Sequence, residues 1–444
     1  MRLDSIELTN FRCFGLLKMD LHPRLNVFVG VNGSGKTALL EALKLGVIGA
    51  IGEMKEAVPQ KTIGAGYSFD PKKDPRLMIF QRGELVQSDE VTLTLVGRLG
   101  VEDQAVSWSR GLKKVNVRFK NINIFDAIRP YFNRLYKSFQ SNDDVELPIF
   151  AYYSTGRLFL ENNDTKSEMN GKRISGYLNA ATAKSSQYLF KKWFQKREQA
   201  QGQYEKHGVA FDFSSFERVK LLLAELIPGC KSIFYDDLRF KEIVFVLQDG
   251  QALPYSMLSD GTRNLVALVS DLALRCAVLN PWLGEKINHV KGIVLIDEVD
   301  LHLHPSWQRQ VVPSLLKAFP NIQFFITTHS PMTLASLEPH ISDPAPNVFI
   351  LKKNKDATEI KVEVLENELI GTANHWLTDV FGLAEPRSIE AENAIAEAKK
   401  ILSSASPQPE GIRVVSEKLM NFIQAHDLFW IRWNYFAQQH GIDL

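Results

Sequence analysis

Residues 25–45 read LNVFVGVNGSGKTALLEALKL, and the fold is decided by how this stretch divides. Leu25 to Val29 is a short apolar run of strand-forming residues. It passes at once into Gly30, Val31, Asn32, Gly33, Ser34, Gly35, Lys36 and Thr37, and then into the helix former ALLEALKL. The order is strand, glycine loop, helix. Glycines let consecutive backbone N–H groups turn toward a phosphate, and the helix N-terminus adds positive dipole. Lys36 is then expected to reach the β- and γ-phosphates of ATP, and Thr37 to ligate Mg²⁺.

Three later segments extend the site. Ile293 to Ile296 (IVLI) is a fully apolar run, the pattern of a buried parallel strand, and it ends in Asp297 and Glu298. In a phosphate site Asp297 would hold Mg²⁺ through water and Glu298 would polarise the attacking water. Leu258-Ser259-Asp260-Gly261-Thr262 precedes a helix with apolar positions at 265, 268, 269, 272 and 278. Ser259 and Gly261 at that N-terminus form an anion site that a second subunit can offer to the γ-phosphate. Phe324 to Ser330 (FFITTHS) is another buried strand, and His329 at its end can hydrogen-bond a γ-phosphate. Taken singly, each segment has a plainer reading: a strand meeting solvent, a simple N-cap, a structural histidine. Their order along the chain narrows the choice.

In that order the segments resemble the ABC-type ATPases. Gly30 to Thr37 is similar to Walker A, Leu258 to Thr262 to the signature, Ile293 to Glu298 to Walker B, Val299 to Pro305 to the D-loop, and His329 to the switch histidine. The opening SIELTNFRCF and the glycine loop resemble the branch of SMC- and RecF-like heads, and LHLHP after Walker B resembles the OLD-like and anti-phage ATPases. Within that branch, Tyr152 to Arg157 (YYSTGR) and Trp376 to Leu383 (WLTDVFGL) resemble the PtuA-type ATPases of Septu and retron-associated defence systems.

The resemblance implies an α/β P-loop head with mixed sheets, a helical insertion and a helical C-terminal region. It implies ATP and Mg²⁺ as ligands, Lys36, Glu298 and His329 in catalysis, and Ser259 and Gly261 acting across a head-to-tail homodimer or an oligomer of such dimers. The implied function is the ATPase subunit of a bacterial anti-phage complex that controls an HNH nuclease subunit and meets DNA or an RNA–DNA hybrid. Asp260 stands where the family's commoner signature has glycine, which implies slow hydrolysis. The alternatives are a RecF-like repair factor that clamps DNA without a nuclease, and a defence ATPase that sequesters a toxin.

Composition sets the outer bounds. The chain has 444 residues, 45% hydrophobic and 23% charged, enough apolar surface for a large core in two or three domains. A formal net charge of +1 provides no general field for nucleic acid, so any such contact must be local. Three scattered cysteines indicate neither a disulfide framework nor a zinc ribbon. No apolar run approaches the ~18 residues of a membrane span, so a cytoplasmic protein without membrane contact is expected.

Between Thr37 and the signature there are no sustained heptads, so no long coiled-coil arm is expected. The expected division is residues 1–99 and 229–352 for the head, 100–228 for an insertion of strands then helices, and 353–444 for a helical partner-docking region. Strands are expected near 91–99 and 115–124. Arg110, Lys113, Lys114, Arg118 and Lys120 form one basic cluster; Lys191, Lys192, Lys196 and Arg197, interleaved with Trp193 and Phe194, form another. Either fits a nucleic-acid backbone or an ordinary solvated face. Gln81, a residue that could sense Mg²⁺, reads more simply as surface beside a turn and is left unassigned; Arg157 is a candidate nucleotide sensor or phosphate ligand, equally readable as surface. The aromatic tail from Arg413 to Phe436 is expected on one helix, as core or as a docking surface. With no DxD pair and no room for a Toprim fold after His329, no intrinsic nuclease is expected.

Overall fold

The structure, a computed structural model, describes residues 1–54, 68–79, 84–100, 104–141, 143–158, 172–182, 187–337, 346–353, 360–365, 373–379, 381, 388–404, 407–423 and 427–442. They belong to two compact units, Met1–Ile370 and Gly371–Leu444.

The first unit opens with a hairpin of β1 (Arg2–Phe11) and β2 (Phe14–Asp20), followed by β3 (Leu25–Val29) and α1 (Lys36–Ile51). A small hairpin, β4 (Leu77–Ile79) and β5 (Leu85–Gln87), leads into β6 (Glu90–Arg98), β7 (Ala105–Val115) and β8 (Arg118–Ile124). An antiparallel sheet runs β2-β1-β6-β7-β8. In β6 the strict alternation of EVTLTLVGR buries Val91, Leu93 and Leu95 and turns Thr92 and Thr94 outward. Next come α2 (Arg129–Gln140), β9 (Ile149–Tyr153), α3 (Gln187–Lys206) and α4 (Ser214–Ala224). The small sheet β10 (Cys230–Asp236), β11 (Glu242–Leu247) and β12 (Ala252–Pro254) precedes α5 (Asp260–Leu279). The remainder is β13 (Gly292–Ile296), α6 (Pro305–Gln308), α7 (Val311–Ala318), β14 (Ile322–Thr327), α8 (Pro331–Ala335), β15 (Asn347–Lys353) and β16 (Ile360–Leu365).

The central sheet runs β16-β15-β3-β14-β13-β9, parallel throughout except for the antiparallel β15–β16 pair. Every residue of β3, β9, β13 and β14 is buried, as a parallel sheet covered on both faces requires. α1 packs on β1, β6 and β7 of the antiparallel sheet and on β13 and β14 of the central one. Such a helix is buried nearly all round and needs small residues where it is squeezed. A Cβ on Gly46 would meet Leu95 Cδ1 at 2.3 Å, and one on Gly49 would meet Arg110 Cδ at 2.4 Å. The expected α/β architecture with mixed sheets is therefore present.

Several details differ from the expectations. β9 lies in the central sheet beside β13, so residues 100–228 are not a single insertion. β7 fills the gap between the two expected strands; its charged residues conceal it in the sequence, and Arg110 within it is 3% exposed, held under the sheet by bonds to Leu45 O at 2.5 Å and Asn123 Oδ1 at 3.0 Å. Arg110 thus leaves the basic cluster. Lys113 and Lys114 pair with Glu90 at 3.7 Å and Asp89 at 3.2 Å. In α3, Phe194 is buried and both Trp193 and Phe194 pack edge-on against Phe216, with centroids 5.6 and 4.9 Å away, so the interleaved aromatics serve the core. β16 extends the sheet past the expected boundary at 353 to Leu365.

The second unit comprises α9 (Ala373–Asp379), α10 (Ile389–Leu402), α11 (Pro409–Phe422) and α12 (Leu428–Gln439). Its core gathers Ala398, Ile412, Leu419 and Trp433, with Trp433 Nε1 donating to Ser416 Oγ at 2.9 Å. The aromatic tail is two helices, not one, and Asp427 caps the second by accepting from Phe429 N at 2.7 Å. Trp430 and Trp433 are core; Phe422 and Tyr435 are exposed. Among the described residues no helix is long and apolar enough to cross a membrane.

Candidate nucleotide site

β3 ends in the glycine loop, and backbone conformation explains its glycines. Gly35, the N-cap of α1, has φ +95°, and Gly33 has φ +78°. At Gly30, φ is +149° and a Cβ would strike Leu351 O at 2.5 Å. Val31, Asn32 and Gly33 are exposed at the crest, whereas Ser34 and Lys36 are buried. Lys36 Nζ donates to Gly30 O at 2.8 Å and Val31 O at 3.1 Å, lying against the loop it follows. Burial lowers its pKa, opposed by the charges of Asp297 and Glu298.

The acids come from the end of β13. Asp297 N donates to Tyr153 O at 2.7 Å, which fixes the strand end against β9. Its carboxylate accepts from Thr37 Oγ1 at 2.8 Å and from Thr327 Oγ1 at 2.6 Å, one on each oxygen. Thr327 Oγ1 in turn accepts from Glu298 N at 2.7 Å. Glu298 has φ +47°, a left-handed conformation that costs on the order of 1 kcal/mol in a non-glycine residue. The side chain is half-buried.

His329 follows β14 and is half-buried. Burial first, then the positive charge of Lys36, holds its imidazole below the usual histidine value, and the charges of Glu298, Asp300 and Asp297 oppose them. A neutral ring next to a lysine can accept or donate a hydrogen bond without adding charge. The next residue, Ser330, caps α8 by accepting from Met332 N and Thr333 N, each at 3.1 Å. Lys36 and Thr37, Asp297 and Glu298, and His329, from three segments far apart in sequence, therefore form one interacting group.

The signature segment is held by different partners. Ser259 caps α5, accepting from Thr262 N at 3.3 Å. Asp260 pairs with Arg263, so its acid is partly offset before any phosphate approaches. Gly261 faces the D-loop: a Cβ there would sit 3.4 Å from His302 O and 3.6 Å from His304 N. Residues 302–304 thus lie beside the start of α5 in the same chain.

The group fits a magnesium nucleotide. Its donors beside the loop are hard oxygens, Thr37 Oγ1 and the Asp297 carboxylate, the kind Mg²⁺ prefers. A cavity of about 740 Å³ opens beside Thr37, lined by Arg12, Glu41, Lys44 and Asp74 among others. Thr327 is the site residue that sequence reading passes over. A threonine ending a buried strand is a visible signal only once the neighbouring strand is known to end in Asp297. Gln81 and residues 380, 382 and 383 lie outside the described residues, as does the side chain of Arg157.

A family model described as "AAA domain, putative AbiEii toxin, Type IV TA system" matches residues 106–335, and one described as "AAA ATPase domain" matches residues 1–46. The chain is similar to the "Retron Ec83 probable ATPase" of Escherichia coli, 24% identical, with 94% of this chain and 83% of that protein covered. It is also similar to the "Septu protein PtuA" of Bacillus thuringiensis, 24% identical, covering 88% of this chain and 87% of that protein. Against the "Retron Vc95 probable ATPase" of Vibrio cholerae serotype O1 biovar El Tor the identity is 50% over 92 residues, which span 21% of this chain and only 18% of that protein.

Proposed function

Because the chain belongs to the AAA-domain ATPase family whose model spans more than half of it, we propose that it serves as the ATPase subunit of a bacterial anti-phage defence complex, closing a head-to-tail homodimer on ATP to control an HNH nuclease subunit. One observation carries the catalytic part: the hydrogen-bonded series Thr37, Asp297, Thr327 and Glu298 N, which ties the glycine loop to the acids at the end of β13.

In this reading Lys36 exchanges the carbonyls of Gly30 and Val31 for phosphate oxygens. Gly30, Val31, Asn32, Gly33, Ser34 and Gly35 wrap the phosphates, and Thr37 and Asp297 hold the metal. Bound there, Mg²⁺ neutralises phosphate charge in the transition state. Glu298 orients a water and accepts its proton, and His329, kept neutral by its surroundings, hydrogen-bonds the γ-phosphate. Ser259 and Gly261 of a second copy complete the site. The dimer is supported by the distinct settings of the two half-sites, the loop group and the D-loop-backed signature, each occurring once per chain. The defence setting is supported by the likeness to the retron and Septu proteins; the nuclease partner and the nucleic acid are part of the proposal.

The test is a tagged pull-down from the native host, with mass spectrometry and a nuclease assay on the eluate. A small HNH protein whose cutting responds to ATP is the expected recovery. Recovery of the ATPase alone, binding DNA ends without cutting, would replace this reading with a repair factor of the RecF kind.

A further inference from the structure

Tyr152 and Tyr153 are consecutive residues of β9, so their side chains leave the central sheet on opposite faces. On one face, Tyr152 Oη donates to Glu41 Oε1 at 2.9 Å, and Lys44 lies 4.9 Å from the centre of its ring while pairing with Glu41. Glu41 is one turn beyond Thr37 on α1, the helix that begins in the glycine loop. On the other face, Tyr153 Oη donates to Asp271 Oδ2 at 2.7 Å, which also accepts from Arg275 Nε at 2.8 Å. Asp271 and Arg275 belong to α5, the helix that begins at the signature.

The second network is sealed. Tyr153 is 1% exposed, Asp271 2% and Arg275 3%. Arg275 also donates to Gly176 O at 2.9 Å and Leu178 O at 3.0 Å, anchoring the helix a second time. Buried charges with fixed partners do not slide without loss of their hydrogen bonds, so the Tyr153 hydroxyl fixes where α5 stands along β9. The same residue's carbonyl accepts from Asp297 N at 2.7 Å. One residue therefore holds the Walker B acid by its backbone and the signature helix by its side chain.

We propose that Tyr153 is a positioning residue that transmits nucleotide occupancy at Asp297 to the signature end of α5, with Tyr152 making the matching link to α1. The proposal rests on the reading of the glycine loop as the ATP site and of Ser259 to Thr262 as the signature. When ligand draws Thr37 and Asp297 together or apart, the end of β13 takes the end of β9 with it through the Asp297 N–Tyr153 O bond, and Tyr153 carries that movement to Asp271. A purely structural tyrosine would stabilise the fold without linking these two events.

Hydrogen exchange of the full-length chain, at a concentration where it is monomeric, reads the link without any contribution from dimer formation. A non-hydrolysable ATP analogue with Mg²⁺ is the probe, and its affinity is titrated in parallel. The expected result is a nucleotide-dependent change in amide exchange over residues 259–265 of the wild type. In Tyr153→Phe that change shrinks at least about fivefold while nucleotide affinity stays within about twofold, since the hydroxyl does not reach the phosphate site. Asp271→Asn, which keeps the shape and loses the charge, repeats the test if Tyr153→Phe does not fold. A Tyr153→Phe chain with the full wild-type change overturns the proposal, as does a wild type that binds nucleotide with no change at 259–265. A chain that binds no nucleotide overturns the site assignment with it, and the titration tells that case apart.

Discussion

Thr37 Oγ1 donates to Asp297 Oδ2 at 2.8 Å across 260 residues of sequence. The hydroxyl belongs to the first turn of α1 and the carboxylate to the end of β13, two elements that meet only because β13 and β3 flank β14 in the central sheet. Asp297→Asn keeps the size of the side chain and removes its charge. Nucleotide affinity in the presence of Mg²⁺ should fall to the level wild type shows in EDTA. Isothermal titration with and without the metal checks this, and a variant that still gains affinity from Mg²⁺ would remove Asp297 from the metal site.

Lys36→Ala should weaken ATP binding by about 100-fold or more, near 3 kcal/mol, the loss of charge-assisted hydrogen bonds to phosphate. Equal affinity in wild type and variant would sink the assignment of the loop. Lys36 also satisfies two loop carbonyls, so a thermal melt should accompany the titration.

Glu298→Gln should bind ATP as wild type does and hydrolyse it about 100-fold more slowly or worse, as loss of a general base predicts. With hydrolysis blocked, light scattering should show an ATP-dependent doubling of mass that persists, where the wild-type dimer decays. A variant that turns over at the wild-type rate would place the base elsewhere.

The His329 imidazole is held below its ordinary value by burial and by Lys36. The folded chain therefore resists the proton that the unfolded chain accepts near pH ~6.5. Stability conferred by the neutral ring is complete above that pH and is lost as pH falls from it toward the lower folded value. The apo chain's melting temperature should drop on acidification through this window, and His329→Gln should drop less. An identical pH profile in the two proteins would contradict the cause given for the shift.

Arg110 offers a test of the corrected basic cluster. Arg110→Ala should destabilise the fold by about 2–3 kcal/mol, because it removes a buried bond to Leu45 O and empties the space above Gly49. Lys120→Ala, on the exposed edge strand β8, should leave the denaturation midpoint unchanged. Equal midpoints for the two variants would show that Arg110 does not hold the sheet to α1.

Much of the candidate nucleotide site was legible in the sequence for a local reason. Glycines that need positive φ, a lysine at a fixed offset from them, and acids or a histidine closing an apolar run are each marked by their immediate neighbours. Residues 25–37, 258–262, 293–298 and 324–330 accordingly emerged as strands, loops and helix starts, although β13 begins at Gly292, β14 runs Ile322–Thr327 and α1 begins at Lys36. Partnership was hidden. That Thr327 would satisfy both Asp297 and Glu298 N depends on which strands lie side by side, and no local pattern states it.

The division is clearest where one residue type took opposite fates. Arg110 and Lys120 read alike in sequence, yet β7 turns Arg110 into the core beneath α1 while β8 leaves Lys120 in water, since sheet position and pleat decide which charge is buried. Tyr152 and Tyr153 were visible only as part of a short motif. Strand alternation sends them to different helices, and only the packing of α1 and α5 on opposite faces of β9 gives the pair its two partners. The sequence by itself determined the elements and the chemistry they carry; the tertiary structure decided which of those groups touch, because contact across hundreds of residues is set by sheet order and by burial.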